Sequence, residues 1–153
     1  MSELEQALRE NEGKEVGTSD WVLVDQARIN AFADATDDHQ WIHVDEERAA
    51  RELPQKSTIA HGFLTLSLIA GIMPKIIQLP GVAMSLNYGL NRVRFVNPVP
   101  AGSRVRLHVK LKEWERTDKG FRVTWESTME LEGADKPACI AESLAMLQPA
   151  DGR

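Results

Sequence analysis

The chain has 153 residues, 42% of them hydrophobic and 27% charged, with a net charge of −5. That fits one domain over residues 1–153, large enough to fold on its own core without disulfides or a metal. The negative balance argues against general nucleic-acid binding. No run approaches the roughly 18 apolar residues of a membrane span.

Residues 1–15 are charged and lack the apolar core of a signal peptide. Leu4-Glu5-Gln6-Ala7-Leu8 predicts a short leading helix that ends near Gly13, and Trp21-Val22-Leu23-Val24 a short strand. Asp25 is placed to cap a helix carrying Ile29, Phe32 and Ala33 toward the core. The polar stretch Asp37-Asp38-His39-Gln40-Trp41-Ile42-His43 then reads as a loop. A helix over 45–50 follows, with acidic residues in its first turn, and Pro54 closes it. From Gly62 to Met73 the residues are apolar on nearly all sides, which predicts a buried helix. Its stripe of Phe63, Leu64, Leu66, Leu68, Ile69, Ile72 and Met73 is expected to be core, with a minor share left to line a substrate tunnel. Pro74 is expected to kink or interrupt this helix, with one further turn over 75–79.

The second half changes period. Val105, Leu107, Val109 and Leu111 alternate with basic residues, and Phe121, Val123, Trp125, Met129 and Leu131 with polar ones. These are half-solvated antiparallel strands, joined by a hairpin at Asp118-Lys119-Gly120. Residues 85–96 form a strand broken at Gly89, 97–102 a proline-rich turn, and 138–147 a last strand. One buried helix followed by at least four long strands implies an α+β domain with the sheet wrapped around the helix, one sheet face covered and the other wet.

The chemistry-bearing residues cluster early. Asp38 and His43 stand five positions apart, so that a carboxylate and an imidazole can address one water. His61-Gly62 opens the apolar helix, where free backbone N–H groups face a developing oxyanion. This combination suits chemistry beside a thioester carbonyl. Asp38, His39 and His43 also admit a metal-ligand reading, but their spacing matches no recognised helical ligand set, and no metal is expected. The lone Cys139 has no partner in the chain, which points to a reducing, cytoplasmic setting. It also admits, less simply, a nucleophile.

Thr36 to His43 fits in register the hydratase motif Ser/Thr-Gly-Asp-x-Asn-Pro-Ile-His of the MaoC-like dehydratases. Ala60-His61-Gly62-Phe63-Leu64 matches the start of that family's central helix, and 91–99 its arginine-phenylalanine strand and Pro-Val turn. Over residues 21–147 the chain resembles this family, which includes (R)-specific enoyl-CoA hydratases, and within it a nodulation-protein-N-like branch. Three positions depart from the motif: Asp37 stands for Gly, Gln40 for Asn and Trp41 for Pro.

The resemblance implies a hot-dog fold and a homodimer with a continuous sheet. It also implies an (R)-specific enoyl-CoA hydratase, or 3-hydroxyacyl-CoA dehydratase, of fatty-acid metabolism. Such a lyase adds water syn to a trans-2-enoyl thioester. Asp38 is expected to take the water's proton and His43 to orient the water or deliver a proton. The Gly62 N–H would meet the oxyanion, and Gln40, Trp41, Arg92 and Arg94 would contribute to substrate binding. Arg92, Arg94, Arg104 and Arg106 are the basic residues for the coenzyme A phosphates, or all four simply form the wet face of a sheet. His61 is expected to be structural. No cofactor is expected beyond the thioester substrate, carried on coenzyme A or an acyl-carrier protein. A hot-dog acyl-CoA thioesterase and a non-catalytic acyl-CoA-binding or regulatory protein are the alternatives.

Overall fold

A computed structural model describes residues 1–150; the last three residues of the single-domain expectation lie outside them. The elements in chain order are α1 (Glu3–Asn11), β1 (Glu15–Thr18), β2 (Val22–Val24), α2 (Gln26–Thr36), α3 (Trp41–Val44), α4 (Glu46–Glu52), α5 (Gly62–Ile76), β3 (Val82–Phe95), β4 (Ser103–Thr117), β5 (Gly120–Leu131) and β6 (Cys139–Pro149). The strands form one antiparallel sheet in the order β1-β4-β5-β6-β3, with β2 also paired to β4. This is the hot-dog arrangement, α+β, with α5 packed against β4, β5 and β6.

The period-two reading locates the inner face. Val105, Leu107, Val109 and Leu111 are all fully buried, as are Val123 and Met129 of the neighbouring β5, and they share one core with Leu64, Ile69 and Ile72 of α5. The hairpin is tighter than its three-residue reading, because Thr117 pairs with Gly120 and only two residues connect the strands. Gly120 sits at φ +129°, and a Cβ there would strike the Leu147 carbonyl, so this turn requires glycine.

One strand is added and several expectations change. The strand Glu15–Thr18 is too short and too polar to show a period, and pairing with β4 creates it. Pro74 interrupts nothing: α5 runs through it to Ile76, and Leu79 lies beyond its end. The proline falls in the last turn, where few intrahelical bonds remain to be lost. The apolar stripe of α5 is not all core, since Phe63 is 66% exposed, with its ring edge-on to Phe95.

That open flank continues along β3. The strand is the sheet's edge, exposed over nearly all of its fourteen residues, including Met84, Leu86, Tyr88 and Leu90. Gly89 does not break it, because register shifts at Asn87/Gly89 and Leu90/Arg92 absorb the irregularity while pairing to β6 continues. No helix among the described residues is long and apolar enough to cross a membrane.

Candidate active site

Two helices and one clamped segment build the site. α2 begins at Asp25, whose carboxylate accepts the Arg28 N–H at 2.9 Å, and ends at Asp37 in the left-handed conformation with φ 63°. Residues 38–40 turn the chain, and the Asp38 carboxylate accepts the Gln40 N–H at 3.3 Å. This short turn holds one carboxylate oxygen of the exposed Asp38. The polar stretch is therefore not a loop throughout. His43 lies on the one-turn helix α3, and only 7% of it is exposed.

His43 is fixed from two directions. Its Nδ1 lies 2.7 Å from the Ile59 carbonyl, and Gln26 Nε2 donates to the His43 main-chain carbonyl at 2.7 Å. The 58–60 segment is pinned in turn. Thr58 hydrogen-bonds Gln26, Ile59 N–H donates to Ile42 O at 3.1 Å, and Ala60 N–H donates to Val99 O at 2.8 Å. A carbonyl only accepts, so His43 Nδ1 carries the proton and Nε2 presents its lone pair. Burial pushes the His43 pKa below the ordinary histidine value, outweighing the Ile59 bond, which acts the other way. The neutral ring is favoured. Gln26 and Ile59 carry no motif that sequence reading recognises, and were missed.

His61 caps α5 and is 2% exposed. Its Nε2 lies 3.0 Å from the Asp38 carbonyl, and its ring stacks on His43 with centroids 3.8 Å apart. Leu64 and Thr65 donate their N–H groups to the His61 carbonyl, which leaves those of Gly62 and Phe63 without an acceptor among the described residues. Gly62 is closely covered: a Cβ there would lie 2.8 Å from the Phe95 ring.

One carboxylate oxygen of Asp38 and one ring nitrogen each of His43 and His61 fall within 4.8 Å of one another. A shared cation fits this trio poorly. The two rings are nearly parallel, at 24° and 3.8 Å, so an ion between them would stand about half that spacing out of each ring plane, away from both lone pairs. His39 is turned elsewhere, with its Nε2 2.9 Å from Asp34 Oδ1, an interaction that raises its pKa. Cys139 is fully buried in β6, and burial pushes its thiol up to about 11, which does not suit a nucleophile at neutral pH.

The model of the MaoC like domain matches residues 8–131 of the chain. The chain belongs to the MaoC-like dehydratase family. The 3-hydroxyacyl-thioester dehydratase Z of Mycobacterium tuberculosis is 52% identical to it over 133 residues, covering 86% of this chain and 87% of that protein. Nodulation protein N of Rhizobium leguminosarum bv. viciae is 50% identical over 141 residues, covering 89% and 86%. Among solved structures, an (R)-hydratase from A. caviae involved in PHA biosynthesis superposes with a TM-score of 0.71 at 26% identity, covering 88% of this chain and 98% of that one.

Within this MaoC-like frame the three motif departures acquire positions. Asp37 occupies the left-handed cap that the family's glycine suits, and aspartate is one of the few other residues that visits it readily. Gln40 contributes its backbone N–H to Asp38, and no hydrogen bond of its side chain is found among the described residues. Trp41 starts α3 with its ring 3.9 Å from the Arg48 guanidinium.

The large cleft of this MaoC-like domain, about 740 Å³, lies between α5 and β3/β6 and is lined by residues such as Leu66, Met73, Ile77, Tyr88, Trp125 and Ala145. Neither Trp41 nor any of Asp38, His43 and Gly62 lines it. Arg92 and Arg94 lie exposed on β3, and neither forms an ion pair among the described residues. Arg104 and Arg106 are instead engaged by Glu132 and Glu130, which favours the wet-face reading for both.

Proposed function

We propose that the chain is an (R)-specific enoyl thioester hydratase, and in reverse a 3-hydroxyacyl thioester dehydratase, with Asp38 and His43 as its catalytic pair. The observation that carries this reading is the fixed tautomer of His43: with Nδ1–H given to Ile59, Nε2 is left as the acceptor, and a ring nitrogen of His43 lies within 4.8 Å of an Asp38 carboxylate oxygen. A trans-2-enoyl thioester needs such a pair. A water between them donates one hydrogen bond to each. Its oxygen attacks C3 while one proton passes to His43 Nε2; the C2=C3 π pair becomes the C1=C2 bond, and the carbonyl π pair moves onto the thioester oxygen. The resulting enolate is met by the Gly62 N–H. C2 then takes the proton from the imidazolium, on the face from which the oxygen arrived, so that H and OH are added syn. The preset lone pair supports His43 as the proton acceptor, with Asp38 orienting the water, in place of the opposite assignment expected from the motif.

Arg92 and Arg94, the unpaired cations of β3, are assigned to the phosphates of the thioester carrier. A second copy of the chain is assigned to the open edge of β3, where a long apolar strand with free backbone groups would extend the sheet. Sedimentation of the purified protein at the mass of two chains is expected. Sedimentation as a single chain removes this assignment.

The test of the reaction follows crotonyl-CoA by loss of its conjugated enoyl absorbance together with thiol release. Hydration without free thiol is expected. Thiol release would make the protein a thioesterase, and binding without either signal would make it an acyl-CoA-binding protein.

A further inference from the structure

His61 is the one buried titratable side chain of the site to which this reaction assigns no role. Its ring is pressed between Phe32 of α2, at 4.8 Å and 54°, and His43 of α3, at 3.8 Å and 24°. Its Nε2 lies 3.0 Å from the Asp38 carbonyl. That carbonyl can only accept, so Nε2 carries the proton and Nδ1 is left as a bare acceptor. Nδ1 is buried and has no partner among the described residues. Leaving such a group unsatisfied costs about 1–3 kcal/mol. A phenylalanine would fill the same space between Phe32 and His43 without that cost. What an imidazole alone adds here is the N–H that grips the main chain of Asp38.

We propose that His61 is a positioning residue that fixes the separation of Asp38 and His43, holding the first through its main-chain carbonyl and the second through ring stacking. The Asp38 main chain needs such a hold, because the residue is exposed and its turn is otherwise held by the Gln40 N–H at 3.3 Å and a Thr36 hydroxyl contact at 3.4 Å. His61 also starts the helix that presents the Gly62 N–H. A single residue thus ties the water-binding pair to the oxyanion donor.

The test compares His61→Phe with His61→Gln. Phenylalanine keeps the stack and removes the donor; glutamine restores an N–H of similar reach. In His61→Phe, kcat for crotonyl-CoA hydration is expected to fall on the order of 10²-fold, the cost of misplacing reacting groups by about an ångström. KM should stay within about twofold and the melting temperature near that of the unmodified chain, while His61→Gln recovers part of kcat. A His61→Phe variant with unreduced kcat overturns the proposal, as does a kcat loss that glutamine does not relieve at all. The kinetic arm rests on the hydratase reading. A crystal structure of His61→Phe does not: the Asp38 carboxylate is expected to lie farther from the His43 ring than in the unmodified chain, and an unmoved Asp38 refutes the positioning role. An unmodified chain without hydratase turnover would count against the hydratase reading, and that crystal structure alone would then decide the role of His61.

Discussion

Gly62 and Phe95 give a prediction that can be worked through from the packing. An alanine Cβ at position 62 would lie 2.8 Å from Phe95 Cδ2 and 2.9 Å from Cγ. Ordinary carbon contacts lie at about 3.5–4.0 Å, so the ring must retreat by roughly 0.7 Å or more. Phe95 is 48% exposed and has room to turn. In turning it gives up its edge contact with Phe63, at 5.8 Å and 77°, a pair of a type worth about 0.5–1.5 kcal/mol. Overpacking of this kind costs about 1–3 kcal/mol, and an exposed ring puts the cost at the lower end. Alanine offsets part of it, by about 0.4–1 kcal/mol, through the unfolded chain. The net expectation for Gly62→Ala is a loss of about 1 kcal/mol, or about 2–4 °C in melting temperature for a chain of this size. The assay is a double-mutant cycle by thermal or denaturant unfolding. In a Phe95→Ala background the same glycine substitution should cost nothing or slightly stabilise. An equal loss in both backgrounds would refute the contact.

Three further outcomes follow from the same geometry. With His43 as base and its pKa lowered by burial, the acid limb of kcat/KM, which reports the free enzyme, should have its midpoint below the ordinary ~6.5, and a midpoint above it would contradict the buried neutral ring. Stability carries the same sign: the unfolded histidine binds the proton more readily, so the His43 contribution is complete above about 6.5 and is lost as pH falls toward the lower folded value, which urea unfolding across that range measures. Leu8 of α1 is fully buried, so Leu8→Ala should cost about 2–5 kcal/mol in unfolding free energy, whereas a loss under 1 kcal/mol would mean that α1 is not docked. Replacing Arg92 and Arg94 with alanine should raise KM for a coenzyme A thioester more than it lowers kcat, with the difference shrinking at high salt; Arg104→Ala, whose side chain is already engaged by Glu132, should leave KM unchanged.

The parts of the fold that repeat were legible in the residues. Strands β4 and β5 declare themselves because apolar and polar residues alternate along them, with the buried Ser127 of β5 the polar exception on the inward face, and α2 because Asp25 and its core-facing residues agree. The candidate residues Asp38, His43 and Gly62 were legible through motif spacing, and the structure brings Asp38 and His43 together at the mouth of α5. The groups that hold His43 in place were not. Gln26 and Ile59 act through a side-chain amide and a backbone carbonyl contributed by segments distant in sequence, and no pattern along the chain encodes such a meeting. The exposure of Phe63 was hidden for a different reason: an apolar helix reads as buried whether its cover is the chain's own sheet or something outside it.

The most direct test of the account compares hydration of crotonyl-CoA by the unmodified chain, Asp38→Asn and His43→Ala, with the handedness of the product determined. The account predicts rapid formation of (R)-3-hydroxybutyryl-CoA by the unmodified chain and a loss on the order of 10²-fold or more in each variant, the scale of a lost acid–base group. Unimpaired turnover in either variant, or an (S) product, would contradict it.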